Sequence, residues 1–165
     1  MQNWVANRIV VSGSPDTVKH FICFVTRNMR TGAFSFENII KPPSNFANRN
    51  REWQCINWGT KWDAKQPRVL WEKNSTSSVI EFLTPWTPPL PIISRLLSWL
   101  DPKEAGAFAG LNLDYKYAEE GGCPFVGHIQ LLQHPEYRGD CNLLWQETDD
   151  PYSILYDEIF AECWG

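Results

Sequence analysis

An α+β domain is the fold class that this 165-residue sequence predicts, and three observations predict it. Apolar residues recur at helical spacing in three separate segments; β-branched or alternating runs lie between those segments; and Gly, Pro, Asn and Asp punctuate the junctions. A chain of this length suits one domain and buries roughly two thirds of its unfolded surface on folding.

Arg8 to Ser12 (RIVVS) is a β-branched run closed by Gly13, and Ser14-Pro15-Asp16 supplies a helix cap, a first-turn proline and a first-turn acid. Val18, Phe21, Ile22, Val25 and Met29 then form one apolar stripe of a helix expected to reach about Asn28, before Thr31-Gly32 ends it; Phe24 lies off the stripe and faces another layer. Residues 34–66 show no long regular period. They hold FSFENIIKPP, a polar run from Asn45 to Glu52, and WQCINWGTKWDA from Trp53 to Ala64, read as an irregular loop pinned by its indoles. Gly59, between two tryptophans, is expected at a positive φ or a close backbone approach.

Arg68 to Lys73 and Ser78 to Thr84 read as strands joined by a hairpin at Asn74-Ser75-Thr76. In TPWTPPLP, Thr87 is the expected cap and Pro88 the first turn of a second helix, with Leu90, Ile93, Leu97 and Leu100 on one face and Trp86 folded back as a staple. Gly110 to Tyr117 alternates cleanly, with Leu111, Leu113, Tyr115 and Tyr117 facing one way. After the turn at Glu120-Gly121-Gly122, Phe125 to Gln133 is its antiparallel partner. Cys141 to Gln146 adds a further strand. Asp150-Pro151 opens a terminal helix whose apolar set is Tyr152, Leu155, Tyr156, Ile159, Phe160 and Cys163.

The resulting order, β-α-(loop)-β-β-α-β-β-(β)-α, begins with the βαββαβ pattern of a ferredoxin-like domain. One domain spans 1–165: a core over 1–133, with the Trp-rich loop 34–66 inserted, and an acidic extension with a helix over 134–165. Two helices cover one face of such a sheet, so the opposite face needs its own cover, and the Trp loop and the terminal helix are the spare apolar material.

The net charge of −4 hides an asymmetry: residues 1–100 carry 12 Lys+Arg against 6 Asp+Glu, and residues 101–165 carry 3 against 13. Five cysteines, with no CxxC and no histidine at zinc-ligand spacing, read as free thiols acting as small buried hydrophobes in a reducing compartment. The sequon Asn74-Ser75-Thr76 comes without a signal peptide, and no apolar run approaches membrane-spanning length, so a cytoplasmic protein with no membrane partner is expected.

Several motifs are shared with a known group: Asn3-Trp4, Asn7-Arg8, FSFENIIKPP at 34–43, NWGTKWDA at 57–64, TPWTPPLP at 84–91 and YAEEGGCPFVG at 117–127. With these the chain resembles the YubB-like ferredoxin-domain family, small proteins carried by plasmids, phages and prophages. The resemblance implies a ferredoxin-like fold and a mobile-element origin; it carries over no reaction, cofactor or catalytic residue.

Three function classes remain. For an enzyme, no HExxH, GxSxG or P-loop is present; His128, near Asp114 and Glu119, is the one general-base candidate and Cys55 a nucleophile candidate, and no catalytic, metal-binding or cofactor residue is assigned. For single-stranded nucleic acid, Lys41, Arg49, Arg51, Lys61, Lys65, Arg68 and Lys73 accompany Trp53, Trp58, Trp62 and Trp71; the contact set is Trp58, Gly59, Lys61, Trp62 and Arg68. For a protein-binding module, the acids from Glu119 to Glu162 offer a surface that attracts a basic groove, with Glu119, Asp149, Asp150, Asp157 and Glu158 as contacts. The expected partner is a host protein or nucleoprotein complex, such as a defence nuclease or CRISPR effector.

Overall fold

Strand β1 (Trp4–Ser12) shows why the sheet forms: Val5, Asn7, Ile9 and Val11 alternate with less buried residues, so the strand offers one face to a core. In the computed structural model, which describes residues 3–27, 32–44, 50–104, 106–121, 125–134 and 140–165, β1 pairs antiparallel with β3 (Ser77–Pro85) on one side and β4 (Asn112–Glu119) on the other. Strand β2 (Lys65–Leu70) extends the sheet beyond β3, while β5 (Val126–Gln133) and β6 (Cys141–Thr148) extend it beyond β4. The order is β2-β3-β1-β4-β5-β6, antiparallel at every step, and with four α-helices among the described residues the chain is an α+β protein. Asn28, Met29, Thr31, Asn45, Arg49 and Gly122, named above, lie outside the described residues, as do Cys123, one of the five cysteines, and Glu136, one of the acids between Glu119 and Glu162.

Helix α1 (Pro15–Val25) starts as predicted, with the Ser14 hydroxyl accepting from the Thr17 amide. It ends at Val25, where the Thr26 hydroxyl donates to the Ile22 carbonyl. Val18, Phe21, Ile22 and Val25 pack on the face of β1, β3 and β4 that carries Ile9, Ile80 and Tyr115, and Phe24 meets Trp99 and Phe108 edge to face. Helix α3 (Leu90–Leu100) joins the same core through Ile92, Ile93, Leu96 and Leu100.

Several expectations are corrected here. The segment read as an irregular loop holds helix α2 (Arg51–Trp58), because Asn50 caps the Glu52 and Trp53 amides and Gly59, at φ 78°, terminates it. Of the tryptophans in that segment, Trp53 and Trp58 do not cover the open face of the sheet, whereas Trp62 stands beside Trp4. Phe34, Phe36 and Trp58 instead enlarge the α1/α3 core against Phe82. Thr87 does not cap α3, whose N-cap is Pro89 with no side-chain cap bond, so the buried stripe is rotated toward Ile92 and Leu96. Trp86 sits at φ 68° and is half exposed rather than stapled.

The second face is covered at one end by α4 (Ile154–Trp164), capped by Ser153. Ile159 packs on Ala118 and Val126, and the Trp164 indole donates to the Ala118 carbonyl. The helix begins later than Asp150-Pro151 predicts, which leaves Tyr152 outside it and exposed. Cys23 and Cys55 are also exposed, not buried as expected, although the four described cysteines carry free thiols. Among the described residues no helix is long and apolar enough to cross a membrane.

Candidate macromolecule-binding surfaces

The motifs that stand far apart in the sequence converge at one corner. Trp58 is fully buried and its indole donates to the Ile40 carbonyl at 2.9 Å. Asp63 accepts from the Ser35 hydroxyl at 2.6 Å and from the Phe36 amide at 2.8 Å, so NWGTKWDA is tied twice to FSFENIIKPP. The Gly59 carbonyl accepts from the Thr87 hydroxyl at 2.7 Å, and a Cβ at Gly59 would lie 2.6 Å from Pro91 Cδ, so both expectations for this glycine hold.

The bonds continue inward. Thr84 donates to the Thr87 carbonyl and accepts from the Asn7 amide nitrogen at 3.0 Å, and the Tyr115 hydroxyl donates to Asn7 Oδ1 at 2.7 Å. Burial, reinforced by Tyr117, holds the Tyr115 hydroxyl well above its ordinary range, which keeps it a donor. Asn7, Thr84, Thr87 and Gly59 are thus links in one chain of hydrogen bonds that runs from the buried middle strand, through the exposed Thr87, to the end of the tryptophan helix.

Around that corner lie the basic groups. One cavity of about 250 Å³ is lined by Lys41, Pro42, Trp53 and Gln54; another of about 380 Å³ by Arg51, Lys61, Trp62 and Lys65. The rings are already engaged, however. Trp53 meets Trp58 edge to face, the Lys61 and Lys65 ammonium groups lie 4.6 and 5.4 Å from the Trp62 ring centre, and Trp4 stands 6.3 Å away. Of the nucleic-acid contact set, Trp58 is withdrawn into the core, while Gly59, Lys61 and Trp62 are half-buried. Arg68, on β2, pairs with Glu81 at 3.3 Å.

His128 does meet Asp114, Nε2 to Oδ2 at 3.0 Å, on the second sheet face; the same carboxylate oxygen accepts from Gln130 at 2.8 Å. Neither His128 nor Asp114 lines any of the cavities described here. Cys55 lies exposed on α2.

The acidic set divides. Glu119 is not a surface residue: it is 3% exposed, its carboxylate accepts from the Gly121 amide, and its own amide donates to the Phe125 carbonyl. Alternation places it on the buried side of β4. Asp149 and Asp150 are exposed at the turn after β6, where Asp150 accepts from the Tyr152 amide, and Asp157 and Glu158 are exposed on α4. Glu162 pairs with Arg8 and Lys116.

Two features were missed. Tyr152 and Ile154 are 93% and 77% exposed among those acids. A groove of about 480 Å³ is also present, with Pro88, Leu90, Tyr117 and Phe125 along it and Glu147 and Asp149 at its side. The Tyr117 hydroxyl donates to Glu147 at 3.3 Å, and burial followed by the Glu147 charge pushes it up to about 12. The delayed cap at Ser153 was the available signal for the first feature; nothing local signals the second, because it joins four elements, α3, β4, β5 and β6. No family model matches the chain, and no curated protein or solved structure matches it.

Proposed function

We propose that this chain is a non-catalytic binding protein that engages a basic surface on a host protein or nucleoprotein complex. We further propose that it is a YubB-like mobile-element protein with a ferredoxin-like core. The order β2-β3-β1-β4, with α1 and α3 on one face, supports the core reading, since it is the order a βαββαβ unit adopts when its first strand lies between the third and fourth. A mobile-element origin makes a defence nuclease or CRISPR effector the partner class to test first.

The groove is the observation that carries the binding reading. Glu147 and Asp149 beside Tyr117 and Phe125 offer carboxylates for the head of a Lys or Arg and rings for its stem. Tyr152 and Ile154 add apolar anchors within an acidic rim formed by Asp150, Asp157 and Glu158. Capture from host lysate is expected to recover a partner at low salt and to lose it with Glu147→Lys combined with Asp149→Lys. Recovery that is unchanged by both charge reversals sinks the reading.

A second reading, single-stranded nucleic-acid binding, draws on the cavities lined by Lys41, Arg51, Lys61 and Lys65. Its test is a mobility shift on single-stranded DNA and RNA, with loss of binding on Lys61→Glu and Arg68→Glu. No shift at low salt removes it.

A further inference from the structure

The two edges of the sheet are built differently. Edge strand β2 carries Pro67, Lys65 and Arg68, a left-handed backbone at Gln66 and a register shift between Lys65 and Arg68, all devices that spoil pairing with another chain. Edge strand β6 has none of them. Its sequence CNLLWQET contains no proline, lysine or arginine, it pairs with β5 in unbroken register over its whole length, and among the described residues α4 packs chiefly on β4, β5 and β1 rather than on β6. Leu143, Leu144 and Trp145 are 57%, 54% and 55% exposed. Leu143 and Trp145 stand beside Leu131 and Ile129 on the α1/α3 face, and Leu144 beside Gln130 on the other.

We infer that β6 pairs antiparallel with β6 of a second copy of this chain, about a two-fold axis at Leu144, joining the two sheets into one. The sequence of the strand selects this occupant and this register. A two-fold perpendicular to the sheet keeps each side chain on its own face, so residues of like parity meet. With the axis at Leu144, the Leu144 side chains meet each other, Leu143 of each copy meets Trp145 of the other, and Asn142 meets Gln146. Apolar thus meets apolar on both faces and polar meets polar, and the remaining pair, Cys141 with Glu147, opposes no like charges. Moving the axis to Trp145 sets Glu147 against Leu143 and Gln146 against Leu144, and the match is lost.

The ends of the paired strands bring Asp140 of one copy against the Thr148-Asp149 end of the other, where acids face acids. Added salt therefore strengthens this pairing, whereas it weakens capture of a basic partner by the acidic face, so the two proposals fail independently.

Sedimentation velocity over a range of protein concentration, in low and in high salt, tests it. The expected result is a species of twice the 19.1 kDa chain mass whose share grows with concentration and with salt. Leu144→Lys sets two ammonium groups against each other at an exposed position and is expected to leave only single chains at low salt, with the far-UV spectrum unchanged; Leu144→Glu is expected to do the same. Mixing the two variants is expected to restore the double mass at low salt, because Lys then faces Glu. Wild-type chain that stays single at every concentration, or a Leu144→Lys variant that still doubles, overturns the proposal. Variants that each become single but do not recombine overturn the axis at Leu144.

Discussion

The tryptophan corner and the C-terminal third handle their large side chains in opposite ways. At the corner, residues that look like a binding motif are consumed internally: Trp58 by the Ile40 carbonyl, Gly59 by Thr87 and Pro91, and Asp63 by Ser35 and Phe36. In the C-terminal third, an undistinguished stretch leaves Leu143, Trp145, Tyr152 and Ile154 in solvent beside acids. The difference teaches that a dense sequence motif can be the signature of a buried joint. Buried polar groups must find partners, and that requirement selects particular residues; an exposed contact needs only the right kind of surface.

The contrast breaks first at Trp58. Trp58→Ala removes a buried ring and leaves the Ile40 carbonyl without its donor, so a loss of about 3–5 kcal/mol is expected, read from denaturant midpoints. A loss below about 1 kcal/mol would show that the corner is a loose loop after all.

Alkaline titration sharpens the comparison at the seam between the two regions. Burial, with Glu162 adding, pushes the Cys163 thiol up to about 12 from an ordinary 9.0, and Tyr117 rises to about 12 from 10.0. Both groups stay protonated in the folded chain while the unfolded chain loses protons. Stability is therefore highest below about pH 9 and falls as pH rises toward about 12. Cys163→Ala removes one of these contributions and is expected to flatten the fall in urea midpoint across that window; an equally steep fall would show that the thiol stays solvated.

The smallest expected effect on folding is at the surface. Tyr152→Ser with Ile154→Ser is expected to change stability by no more than about 0.5 kcal/mol while reducing partner capture by the acidic face. A large stability loss would instead place these side chains in a packed cluster.

By itself the sequence determined the fold class, the alternation of Leu113, Tyr115 and Tyr117, the Ser14 cap, the hairpin at Asn74 and the pairing of β4 with β5, because each is set by a local period or a local cap. It marked α2 as well, through Asn50 and Gly59, but the tryptophans masked the helical period between them. Which side of the sheet those tryptophans join, that Glu119 turns inward while Asp149 stays out, and that β6 rather than β2 is the unguarded edge were decided only by tertiary structure. Each depends on what lies across a strand pair or a helix contact dozens of residues away. A side chain's period says which face it shares with its neighbours, but not what that face will meet.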